Sequence, residues 1–175
     1  MNVIHDINSL SQDVKSGVIE INKDGQDVLA EILALANHAP TAVNKQPIRI
    51  LQITSKEGME KLKECTPYTF HAPSAFIVCA VESEAWVRPA DGFNIAIVDA
   101  SIVATHLMLA IHDKGLGSTW VGYFDPARIC KNFSLPQGVV PVAIFPVGHP
   151  AQDAKPAPHH GKRRALDEIV IREQF

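Results

Sequence analysis

The chain has 175 residues, 46% hydrophobic and 20% charged, with 10 Gly and 12 Pro; this make-up suits one globular domain that builds its core without a disulfide or a metal. With 16 Lys and Arg against 19 Asp and Glu the formal charge is -3, so there is no basic field to gather a nucleic-acid backbone. No run approaches the ~20 apolar residues of a membrane span, and the opening Met1-Asn2-Val3-Ile4-His5 has no basic region leading into an apolar one. A soluble, cytoplasmic protein with no membrane partner is expected.

The polar residues 1–26 carry only weak patterning and read as a short helix and an irregular approach. From Asp27, placed as an N-cap, Val28, Leu29, Ile32, Leu33 and Ala36 recur at helical spacing and predict a helix over 27–37. Ala39 to Pro47 is fenced by two prolines and must be a shaped loop. Residues 48–54 read as a strand, 56–65 as a short helix with a polar face, and 75–81 as a buried strand.

Residues 94–114 form the strongest predicted helix: Ala100, Val103, Ala104, Leu107, Met108 and Ile111 make one stripe, and Ile102 and Leu109 make the opposite side apolar too. Such a helix needs cover on more than one face, in the centre of the fold or at a subunit interface. Lys114 and Gly115 supply its stop signals. Strands are predicted at 118–121 and 139–145, with a turn and short helix near 125–133 between them. The Pro/Ala-rich tail from Gly148 should lie extended over the surface, and the β-rich run 166–172 should pair with another strand.

Cys65, Cys79 and Cys130 are odd in number and form no CxxC pair, so they read as reduced packing residues, Cys79 inside an apolar run. The stretch Gly115-Leu116-Gly117-Ser118-Thr119-Trp120 puts Trp where a dinucleotide-binding turn needs its third Gly, and no P-loop, HExxH or GxSxG occurs. His149, His159 and His160 with Asp153 fit no compact metal geometry, and His106 and His112, six positions apart, do not share a helical face. No metal site is expected, and any chemistry must be supplied by something else. Lys162-Arg163-Arg164 is too short for a nucleic-acid patch but could hold one phosphate monoester.

Several segments together resemble the nitroreductase family of FMN-dependent oxidoreductases. Ala39-Pro40-Thr41-Ala42-Val43-Asn44-Lys45-Gln46-Pro47 is similar to its APSxxNxQPW segment. The apolar helix from Asp99 to Ala110, followed by Gly115 to Pro126, resembles its central helix and GLGxxWxGxFD strand-loop. Pro141 to Pro150 and then Lys162 to Val170 resemble its PVALLPLGYP strand and basic C-terminal motif. The match runs from about residue 27 to residue 172.

The resemblance implies an α+β fold with a mostly antiparallel central sheet flanked by helices, in a single domain over 1–175 with a divergent segment at 1–26 and an extended tail at 149–175. It implies an intertwined homodimer with FMN at the subunit interface. Pro40, Thr41, Ala42, Asn44 and Gln46 would meet the flavin from one subunit, and the main chain of Val121 and Gly122 would face its reactive N5 edge from the other. Lys162, Arg163 and Arg164 would hold the phosphate. NADH or NADPH would be the electron donor and a nitroaromatic, quinone or enone the acceptor, with the flavin doing the chemistry and the protein binding and tuning it.

The family's N-terminal Arg-x-Ser-x-Arg/Lys motif is missing, and only Lys15 and Ser16 could stand in for it. Thr41 replaces a Ser, and Ile48 replaces the aromatic after Gln-Pro. These departures leave open a flavin-binding carrier or sensor without turnover, and a dimeric module without cofactor.

Overall fold

The structure, a computed structural model, describes residues 28–151, 154 and 157–175. The expected helix before residue 27, the Asp27 cap, Lys15 and Ser16 lie outside the described residues. The framework is a four-stranded antiparallel sheet in the order β1-β2-β4-β3, built from β1 (Ile48–Ile53), β2 (Ser74–Val81), β3 (Gly117–Ser118) and β4 (Val139–Gly148).

β2 is buried along its whole length because helices cover both faces of the sheet. Its side chains alternate between two cores. Phe76, Val78 and Ala80, with Phe145 and Val147 of β4, meet α1 (Val28–Ala36) and α3 (Ala96–Asp113). Ala75, Ile77 and Cys79, with Ile144 of β4, meet α2 (Lys56–Lys63) and α4 (Pro126–Asn132) through Met59, Leu62 and Ile129. The sheet is therefore the middle of three layers.

The helix boundaries follow local chemistry. The Ser55 hydroxyl caps α2 by accepting the Gly58 N–H at 3.0 Å, and the Asp125 carboxylate caps α4 by accepting the Arg128 N–H at 3.0 Å, with Pro126 opening the helix. α3 stops where expected: Gly115 takes φ +72°, and the Leu116 N–H reaches back to the Ile111 carbonyl at 3.2 Å. An ion pair from Lys114 to Glu31 ties α3 to α1. By length and composition α3 could cross a membrane, but its Ala100, Ala104, Leu107 and Ile111 are fully buried in the protein core. Its other side stays apolar and open, with Ile97 and Val98 about half exposed.

Two irregularities bear on the site. The β2–β4 register shifts between Val78 and Cys79, so that Val78 faces Ala143 and Cys79 faces Pro141; the bulge accommodates a proline in an interior strand. The strand expected at 118–121 is interrupted. Ser118 pairs with Val147 and Val121 with Ile144, which puts Thr119 opposite Pro146. That is the position where β4 should donate a hydrogen bond, and proline has no N–H to give.

The tail corrects one expectation. Among the described residues the run 166–172 pairs with no strand; Leu166–Ile169 is instead a single helical turn, α5, and residues 161–175 are exposed throughout. β-propensity describes fit to a pleated surface, and among the described residues no strand lies beside this segment.

Candidate functional site

The proline-fenced loop after α1 is tightly specified. Thr41 is extended, Ala42–Asn44 make one 3₁₀ turn, and Val43, Asn44 and Gln46 all take positive φ, at 44°, 56° and 50°. Positive φ is costly for a β-branched residue such as Val43, so the surroundings must hold it. The Thr41 hydroxyl accepts the Gln46 N–H at 3.0 Å, and the Gln46 side-chain amide donates to Asn44 Oδ1 at 3.1 Å. From beneath, Asp99 of α3 accepts the Ala42 N–H at 2.9 Å. Thr41 and Gln46 thus shape the loop, while Pro40, Val43, Asn44 and Lys45 are its exposed surface. A groove of about 420 Å³ runs beside it, lined by Leu33, Asn37, Thr41, Gln46, Ile48 and Val103.

The second element lies beyond β3. Val121 is buried and exchanges both backbone hydrogen bonds with Ile144, at 2.9 and 3.1 Å. Gly122 then leaves the sheet. Its N–H has no partner among the described residues, and a Cβ there would meet nothing within 4 Å. The next residue, Tyr123, is exposed, while its carbonyl is held by the Thr66 hydroxyl at 2.7 Å. Its ring meets Tyr68 edge-on at 5.7 Å, and Tyr68 stacks on Phe70 at 6.1 Å. An open N–H therefore sits in the chain next to a cluster of partly exposed aromatic rings.

Within one chain the two elements are far apart. Ile48, next to the loop, faces Ala80, which faces Val140, whereas Val121 faces Ile144 across the opposite edge. At ~4.8 Å between strands and ~3.3 Å per residue along them, the separation is roughly 20 Å. Lys162, Arg163 and Arg164 are a third element, exposed on the tail; Arg163 donates to the Lys162 carbonyl at 2.9 Å, and no hydrogen bond or ion pair described joins the cluster to either of the others. The structure assembles the loop residues with one another but does not bring the three elements together in one copy.

The cysteines are packing residues. All are free, Cys65 and Cys79 are buried, and burial, with Cys130 nearby, pushes the Cys79 thiol up to about 11. It stays protonated and unreactive at neutral pH.

Asp99 is the site residue that sequence reasoning passed over. Its signal was present: a carboxylate in the stripe of α3 that also carries Ala96, Ala100 and Val103, all buried.

This fold is found in known proteins. The Nitroreductase family profile matches residues 65–149. A nitroreductase family protein from Clostridium difficile 630 superposes with a TM-score of 0.84 at 34% identity, over 97% of this chain and 98% of that one. A protein of Methanothermobacter thermautotrophicus, provisionally named NADH dehydrogenase/NAD(P)H nitroreductase, is 32% identical over 135 residues, 73% of this chain and 68% of its own. The FMN reductase (NAD(P)H) of Bacillus subtilis is 26% identical over 76% of this chain and 61% of its own length. The chain belongs to the nitroreductase family.

Proposed function

We propose that this protein is an FMN-dependent oxidoreductase that takes electrons from NADH or NADPH and delivers them to a small electrophile such as a nitroaromatic, quinone or enone. Family membership supports the class, and so does the FMN reductase activity for which the Bacillus relative is named. The observation that carries the reading is the Gly122 N–H, which among the described residues has no partner and faces open space.

The residues present fit the cofactor. Pro40, Thr41, Ala42, Asn44 and Gln46 form a rigid, solvent-facing loop edge against which a flat ring system can lie, and the backbone at Val121 and Gly122 offers a donor to a reactive ring edge. Lys162, Arg163 and Arg164, with Lys15 and Ser16, are the groups for a phosphate. When bound, FMN supplies the hydride chemistry. The protein's part is to hold the ring between loop and turn, to present a donor where negative charge develops, and to keep that region dry. Tyr68, Phe70 and Tyr123 give an aromatic wall suited to a planar acceptor.

The site needs two copies. Its loop and its Gly122 turn stand ~20 Å apart in one chain, so the reading has one subunit supply the loop and a second the turn, in a homodimer. The open apolar side of α3, with Ile97 and Val98 exposed, supports it. So does β1, which among the described residues has no strand on its outer side, with a groove of about 420 Å³ by Ile48 and Ile50 and another of about 510 Å³ by Leu51 and Leu135. The exposed tail residues Leu166, Ile169, Val170 and Ile171 of the second copy are the segment that would cover that edge. Free thiols accord with a cytoplasmic setting.

Ile97→Glu tests the assembly: it is expected to yield a folded monomer at micromolar concentration by sedimentation, with loss of bound flavin. An unchanged dimer would remove α3 from the interface.

The deciding experiment for the function is anaerobic titration of the FMN-loaded protein with NADH and NADPH, followed at the oxidised-flavin absorbance band. Bleaching is expected. A flavin band that neither nicotinamide bleaches would favour a carrier or sensor, and a protein that takes up no FMN would end the flavin reading.

A further inference from the structure

Asp99 is a buried carboxylate to which the flavin reading assigns no task. It lies in the first turn of α3 and is 1% exposed; Oδ1 accepts the N–H of Ala42, 57 positions earlier, and Oδ2 is buried with no hydrogen-bond partner among the described residues. Burying an ionisable group with half its acceptor capacity unused is unfavourable. The first turn of a helix offsets part of that, because its free N–H groups favour negative charge.

The contact Asp99 does make is at the root of the strained loop. Ala42 opens the 3₁₀ turn, and the next two residues, Val43 and Asn44, are left-handed. The Ala42 carbonyl accepts the Lys45 N–H at 3.0 Å, so the Asp99 anchor and the turn share one peptide neighbourhood. Val43 is 71% exposed, so no packing around its side chain imposes this geometry. The loop's other side-chain bonds, Thr41 to Gln46 and Gln46 to Asn44, are internal to it, and the Pro47 carbonyl, which accepts the Val81 N–H of β2 at 2.8 Å, fixes only its far end; neither holds the turn at Val43 and Asn44 to the core. Asp99 is the side chain that does.

We propose that Asp99 is a positioning residue for the cofactor loop: its Oδ1 holds the Ala42 N–H and thereby locks the left-handed turn at Val43 and Asn44 in the shape the ligand meets. Only the ligand's identity rests on the flavin reading. The anchoring is a property of the chain alone.

The test compares Asp99→Ala with Asp99→Asn, which keeps an acceptor oxygen of the same reach. Amide exchange at Lys45 and Gln46 reports the loop without flavin, and FMN titration reports binding. Asp99→Ala is expected to speed both amides and to weaken FMN about tenfold or more, the scale of a lost hydrogen bond to a charged group. Asp99→Asn should restore both to within about threefold of wild type, a rescue that requirement for the charge itself would forbid. Unchanged exchange in Asp99→Ala, or Asp99→Asn as damaging as Asp99→Ala, overturns the proposal.

If Asp99→Ala does not fold, Ala42→Pro removes the donor and leaves Asp99 in place. Thr41, at φ -132° and ψ 159°, already has the backbone that precedes a proline. The same faster exchange at Lys45 and Gln46 is expected, and protected amides would again overturn the proposal. Should wild type bind no FMN, the flavin reading fails while the exchange comparison still decides the role of Asp99.

Discussion

Gly122→Pro is expected to keep the fold and to slow reduction of bound flavin by NADH or NADPH about 10²–10³-fold, the usual cost of removing one preorganised donor from a site of developing charge. Proline deletes the N–H and little else here. Val121 keeps both its hydrogen bonds to Ile144, and its extended backbone is the conformation a residue before proline adopts. Among the described residues, its two chain neighbours aside, nothing stands within 4 Å of where a side chain at 122 would begin. Gly122→Ala is the control, because it adds a Cβ and retains the donor. Anaerobic stopped-flow reduction of the two variants, each saturated with FMN, separates the effects. Proline far slower than alanine places the N–H at the reacting edge; equal rates would assign the loss to bulk and remove the donor from the mechanism.

The layers of this fold were legible because period and punctuation agree. α1, α2, α3 and α4 were predicted to within about two residues: α1 carries an apolar stripe, α2 and α4 side-chain caps, and α3 an apolar stripe with a glycine stop. β1, β2 and β4 were legible from β-branched runs. The strand at 118–121 was overread, because its fate depends on Pro146 of a different strand, and a segment read alone does not reveal its partner's missing donor. The tail differs for a related reason: the residues from Leu166 to Ile171 favour a sheet, but among the described residues no strand lies beside them and Leu166–Ile169 form a helical turn.

The site was legible in part. Two prolines marked the loop from Pro40 to Pro47, yet its left-handed turn falls on Val43, a residue whose intrinsic preference argues against it, so the geometry comes from tertiary contacts such as Asp99. Gly122 stood out as a motif position, but that its N–H has no partner among the described residues emerges only once Val121 is seen to exchange both bonds with Ile144. The ~20 Å between loop and turn follows from strand order, which local sequence does not encode. Lys15 and Ser16 were read by position in a divergent segment and remain proposals outside the described residues.

Phe145→Ala is expected to destabilise the protein by about 3–5 kcal/mol, against about 1–1.5 kcal/mol for Phe145→Leu, which leaves much of the volume filled. Phe145 is fully buried in the middle of β4, directly opposite Phe76 of β2, and its ring meets Trp120 edge-on at 5.2 Å. The cavity would open between the sheet and α3, where surrounding small residues such as Ala100 and Ala104 have no side-chain length to collapse into it. The consequence extends to the site. Trp120 loses the ring that seats it, and it lies between the interrupted ladder at Thr119 and the bridge at Val121, so the approach to Gly122 is held by fewer contacts. Urea unfolding at fixed protein concentration and saturating FMN measures the stability, with both held constant because ligand and subunit binding add to it. Amide exchange at Val121 and Ile144 measures the second effect. Faster exchange there in Phe145→Ala than in Phe145→Leu is the expected result; a loss of stability that leaves both amides protected would show that the turn at Gly122 is held by the Val121–Ile144 bridge alone, independently of the aromatic packing behind it.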